Sequence, residues 1–80
     1  MTRLEILNII NYVMAKRGRS EITNEDEDIR TVNFRSLDFS EVALRIENEI
    51  GEELVFDAAS MRQINTIKDV IDFFENITTL

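Results

Sequence analysis

Ser36 stands between Arg35 and Leu37, where an irregular acidic stretch gives way to apolar residues at helical spacing. Two chemistries suit a serine there. Its hydroxyl can accept a hydrogen bond from an unpaired N–H of the first helical turn, which makes serine a favoured N-cap. The same hydroxyl can be esterified to a phosphate, because a helix start offers unpaired N–H groups and the positive end of the helix dipole. The long preceding loop would leave it within reach of a modifying enzyme. Asp38, in the first turn, suits the dipole and would repel an added phosphate slightly.

The rest of the chain restricts the alternatives. It holds no His, Cys or Trp. Neither a Ser-His-Asp nor a Cys-His nucleophilic site can be assembled, and imidazole base catalysis is excluded. Disulfides and zinc-thiolate sites are excluded as well. Paired carboxylates need a cleft, for which 80 residues leave little room. The chain is therefore expected not to be an enzyme. "NEDED" (Asn24–Asp28) invites a calcium-loop reading, but the turn position that requires glycine is Ile29 and the bidentate position is Arg35. No metal site is expected, and the acidic loop is read as solvated.

Nine basic residues against sixteen acidic ones give a net charge of −7. Such a surface repels phosphate backbones and anionic membranes. Basic protein surfaces are its natural complement. Glu5 and Asn8 interrupt the apolar start that a signal peptide would need, and no run is long enough to span a bilayer. The expectation is a soluble, cytoplasmic protein that binds no nucleic acid and does not insert into membranes.

The elements that must position Ser36 follow from periodicity. Ile6, Ile10, Val13 and Met14 mark a first helix, Arg3 to Lys16, stopped by Gly18. The connection that follows has no sustained period and needs pins, for which Ile22, Ile29, Val32 and Phe34 are the candidates. A second helix runs from Ser36 or Leu37 to Ile50 and is closed by Gly51. Phe39, Val42, Ala43, Ile46 and Ile50 form its core stripe, with Asp38, Glu41, Arg45, Asn48 and Glu49 mostly away from it. Leu37 and Leu44 fall on the flank. Asp57 caps a short helix. Thr66 and Asp69 resemble a capping box opening a last helix that buries Ile67, Val70, Ile71, Phe74 and Ile77. Met61 and the Phe73-Phe74 pair read as core or near-core packing. The result is all-α, with three main helices, one short helix and a long first loop. At 80 residues it is expected to be one domain, residues 1–80.

"RSLDFSEVALRIENEIGEELVF" resembles the segment around the attachment site of acyl carrier proteins, where Asp-Ser-Leu opens the second helix. "TIKDVIDFFENI" is similar to that family's closing helix. The resemblance covers nearly the whole chain and implies a small four-helix bundle of acyl-carrier type. It further implies that Ser36 receives 4′-phosphopantetheine from coenzyme A through a separate transferase, with Leu37 matching the motif's leucine. The arm's thiol would then carry acyl groups as thioesters. Asp38, Glu41, Glu47 and Glu49 map onto the acidic helix that docks on basic surfaces of acyl-transferring or acyl-modifying enzymes, and Arg45 dilutes that face. Val42, Ile46, Ile50, Phe56, Ile71 and Phe74 would line the interior. The carrier would act as a monomer. Arg35 departs from the family's aspartate. It either inverts a contact with the transferase or pairs with the attached phosphate by charge-assisted hydrogen bonds. The substitution marks a specialised carrier.

Charged helix faces are most often merely solvated. The main rival is therefore an acidic helical module that binds proteins through the same face without any modification, a degenerate carrier.

Overall fold

The computed structural model describes residues 1–78 and forms four helices: α1 (Arg3–Lys16), α2 (Ser36–Ile50), α3 (Ala58–Arg62) and α4 (Ile67–Thr78). The last two residues of the expected 1–80 unit lie outside the described range. Local chemistry explains each boundary. Thr2 Oγ1 accepts the Glu5 N–H at 3.2 Å while Glu5 Oε1 accepts the Thr2 N–H at 2.9 Å, a reciprocal box that satisfies two otherwise orphaned donors. After α1 the chain turns at Gly18, φ 72°, and the Arg19 N–H reaches back to the Met14 carbonyl at 2.9 Å. Gly51, also at φ 72°, ends α2 with its N–H on the Glu47 carbonyl. Asp57 accepts the Ser60 N–H and starts α3. Thr66 and Asp69 exchange hydrogen bonds at 3.1 and 3.0 Å and start α4.

The helical periods converge on one core. Ile6, Ile10, Val13 and Met14 of α1 meet Phe39, Val42, Ala43 and Ile46 of α2 and Ile67, Val70, Ile71 and Phe74 of α4. Each of these side chains larger than alanine contributes about 1.5–3 kcal/mol relative to leaving it in water. Phe39 and Phe74 stack with ring centroids 4.9 Å apart, and Phe56 meets Phe39 edge-on at 5.6 Å. Ile50, Phe56 and Ile77 are only half-buried. Among the described residues no strand occurs beyond one isolated bridge between Asp28 and Thr66.

The acidic run of the first loop lies at the surface as expected, with Asn24, Asp26 and Glu27 exposed, while the loop around it is tied to the fold. Ile22 and Phe34 are buried and Ile29 and Val32 are half-buried, so the expected pins hold. Its backbone is then used twice over. The carbonyls of Glu27 and Glu25 accept the N–H groups of Ile67 and Lys68 at 3.0 and 2.8 Å, and Ile29 N–H donates to the Asn65 carbonyl. These bonds satisfy donors of α4's first turn that no helical carbonyl can reach. Arg3 adds a clamp from α1, binding Glu25, Asp72 and Glu75. The loop's main chain is thus tied at several points to the start of α4.

Candidate functional site

Ser36 is delivered by a tight local arrangement. Asn33 adopts a left-handed conformation, φ 61°, which asparagine tolerates better than most residues. The reversal sends Phe34 into the core, and the Phe34 N–H donates to the Ile29 carbonyl at 2.8 Å. Arg35 then takes an extended backbone and is the N-cap of α2. Ser36 is the first helical residue, not the cap that its type suggested. The reason is Asp38: its Oδ2 accepts the Arg35 N–H at 2.7 Å, which sets the register one residue earlier. Only this half of a capping box forms, since a guanidinium has no acceptor. The Ser36 side chain is left exposed, and its hydroxyl has no hydrogen-bond partner among the described residues.

Asp38 does not join the outward face of α2. It is fully buried and is the one buried charged residue among those described. Arg17 Nε lies 2.8 Å from its Oδ1, and Arg19 pairs with its Oδ2 while also donating to the Asn33 carbonyl. A buried carboxylate persists only when paired and hydrogen-bonded, and these arginines supply that pairing. Glu41 is similarly committed. Its side chain is 18% exposed and is held by Arg17 at 2.9 Å, Lys16 at 3.1 Å and Arg45 at 3.1 Å. Hydrogen bonds from Arg17 and then Lys16 hold its pKa down at about 2. Arg45 also lies over the Tyr12 ring at 4.2 Å, a cation–π contact. Glu47 accepts the Leu54 N–H at 2.8 Å. Of the expected docking carboxylates, Glu49 alone is wholly exposed. The outermost line of α2 carries no carboxylate: it consists of Leu37, Ser40, Leu44 and Asn48, the two leucines 71% and 60% exposed.

Beside Ser36 opens a cleft of about 590 Å³ between α3 and the junction of the first loop with α2. Its apolar lining includes Phe34, Phe39, Met61 and Ile64, and Arg30, Arg35 and Arg62 stand on it as well. Sequence reasoning missed Arg30, Arg62 and Ile64, because nothing in the spacing announces that α3 returns to the start of α2. It also missed Arg17 and Arg19, whose side chains return to Asp38 of α2. A carboxylate three residues beyond Arg35 was the available signal for the cap, and Ser36 concealed it.

The fold matches the crystal structure of an acyl carrier protein from Thermotoga maritima with a TM-score of 0.71, across 95% of this chain and 89% of that one at 19% identity. No family model matches the chain. An acyl carrier protein from Coprothermobacter proteolyticus is 35% identical over 72 residues, which span 90% of this chain and 84% of that protein. The chain belongs to the acyl carrier protein family. The four helices of this carrier therefore have the order and connections expected from its sequence, and its role is that of an acyl carrier that works with biosynthetic enzymes. No helix among the described residues is long and apolar enough to cross a membrane. Two of the carboxylates expected to dock, Asp38 and Glu41, are instead held by this chain's own basic side chains.

Proposed function

We propose that Ser36 is the point at which this carrier accepts 4′-phosphopantetheine. The supporting observation is its hydroxyl, exposed and unbonded at the first position of α2 and beside an apolar cleft. In the attachment step the Ser36 oxygen bonds to the phosphorus of coenzyme A that bears pantetheine. The pyrophosphate P–O bond breaks, the nucleotide bisphosphate leaves, and the serine proton passes to a base of the transferase. When bound, the group supplies a thiol that carries an acyl chain as a thioester. The protein's own residues hold and shield: first-turn N–H groups and the Arg35 guanidinium face the phosphodiester oxygens, and the cleft shelters apolar carbon from water.

Partners with basic docking surfaces would meet the C-terminal half of α2, where Glu49 is exposed and Glu47 half-buried, and Glu52 and Glu53 beyond it. Leu37 and Leu44 would provide the apolar contact. In this reading the chain is a monomeric, one-domain, non-catalytic carrier of the cytoplasm.

The test is intact mass after incubation with coenzyme A, magnesium and a promiscuous phosphopantetheinyl transferase. One added phosphopantetheinyl group, lost in Ser36→Ala, is the expected result. An unchanged mass beside a control carrier that is modified would overturn the assignment and leave an unmodified acidic binding module.

A further inference from the structure

Sixteen carboxylates stand against nine basic side chains in this sequence. Yet the cleft beside Ser36 is bordered by Arg30, Arg35 and Arg62 and, among the described residues, by no Asp or Glu. All three arginines are exposed. Most of the other basic residues are consumed internally: Arg3, Lys16, Arg17, Arg19 and Arg45 pair with carboxylates of the same chain. Of the three at the cleft, Arg30 alone has such a partner among the described residues, Asp28 at 3.3 Å. With the Arg30 side chain 83% exposed, that pair contributes little.

A phosphodiester at Ser36 would not neutralise this end, because it carries a single negative charge. With Asp28 set against Arg30 and the phosphodiester against Arg35, Arg62 still stands unpaired among the described residues. At the far end of α2 the sign is reversed, with Glu49, Glu52 and Glu53 exposed. Ser36 and Glu49 are about 20 Å apart along the helix, more than twice the screening length of about 8 Å at physiological salt. A partner therefore meets two zones of opposite sign rather than one average. Nucleic acid and anionic membranes are repelled by the net charge of −7, whereas a protein surface can set a local acidic patch beside a basic one.

We propose that the Ser36 end of this carrier is a basic docking zone, fitting partner enzymes that present carboxylates around the entrance to their active site and basic residues about 20 Å away. The proposal rests on attachment at Ser36, which draws partner entrances to this end. The two signs also fix the direction of docking, since turning the carrier end for end sets like charges against each other.

The experiment measures affinity by calorimetry at low salt, without coenzyme A, for a promiscuous phosphopantetheinyl transferase and for a variant of it whose basic residues flanking the entrance are replaced by glutamate. Binding without turnover keeps the readout independent of transferase activity. The native chain should bind the glutamate-rimmed form about fivefold more tightly than the parent, as two or three exposed ion pairs would give. Arg30→Gln combined with Arg62→Gln should remove most of that preference, and high salt should reduce it. Both positions are exposed, so this double variant should keep the fold, which circular dichroism checks. Equal affinities, tighter binding to the parent, or a preference that the double variant retains would overturn the docking zone while leaving Ser36 attachment intact. Intact mass after incubation with coenzyme A and the parent transferase reports that attachment separately, and an unchanged mass overturns both.

Discussion

Asn11 holds Ile22 by both ends of one amide: its Nδ2 donates to the Ile22 carbonyl at 3.2 Å, and its Oδ1 accepts the Ile22 N–H at 2.7 Å. A side chain of α1 thereby plays the part of a neighbouring strand for the first loop, and Ile22 is buried as a result. Asn11→Ala leaves both backbone groups unpaired. It should cost about 2 kcal/mol in denaturant unfolding, since each orphaned buried group costs roughly 1–3 kcal/mol. Faster amide exchange should be confined to the first loop. An unchanged midpoint would show that water replaces the clamp.

Asp38→Ala should be far more damaging than any other acidic-to-alanine change on α2. It strips the Arg35 N–H of its acceptor and leaves Arg19 without a carboxylate and Arg17 with Glu41 alone. Removing one partner of a buried pair typically costs about 3–5 kcal/mol, a large part of a small domain's stability. Thermal unfolding compared with Glu49→Ala, at an exposed position, gives the contrast. Equal losses would contradict the burial of Asp38.

The Glu41 network makes stability depend on pH in a defined sense. Its folded-state pKa is lowered from the ordinary 4.5 to about 2, first by the Arg17 hydrogen bond and then by Lys16. A depressed carboxylate contributes stability above its unfolded pKa and loses it as pH falls through the folded one. The stability gap between the native chain and Glu41→Gln should therefore be constant at neutral pH and close progressively from pH 4.5 toward about 2. Unfolding midpoints measured across that window provide the check. A gap that widens on acidification would be incompatible with the network.

Arg35→Asp should change attachment at Ser36 more than it changes the fold. Its backbone N–H, not its guanidinium, makes the capping bond, so unfolding should shift by less than about 1 kcal/mol, the ordinary range for surface substitutions. Against a transferase with a basic rim, modification should accelerate by an amount that shrinks with added salt. A salt-independent rate equal to that of the native chain would mean that Arg35 does not meet the transferase.

Much of the fold was legible because helix signals are local. The stripe Ile6-Ile10-Val13 fixes the face of α1, Gly18 and Gly51 stop α1 and α2, and Thr66 with Asp69 starts α4. Ser36 was placed at the right helix end for the same reason. What escaped were relations across the chain. Asp38 lies at an angle on α2 that composition alone assigns to water, and only the return of Arg17 and Arg19 beneath it makes burial tolerable. Arg62 belongs to a five-residue helix whose placement is set by packing rather than by its own periodicity. The use of the first loop's carbonyls escaped because side-chain charge says nothing about where they point.

The bonds from Glu25 and Glu27 to Lys68 and Ile67 have a bearing on biosynthesis of the chain itself. The early loop finds these acceptors' donors only after residues 65–68 have left the ribosome, so this tie forms late relative to the synthesis of Ser36. An enzyme that reads the shaped junction of Asn33, Arg35 and Ser36 must therefore meet a chain in which residues 65–68 have already joined the first loop.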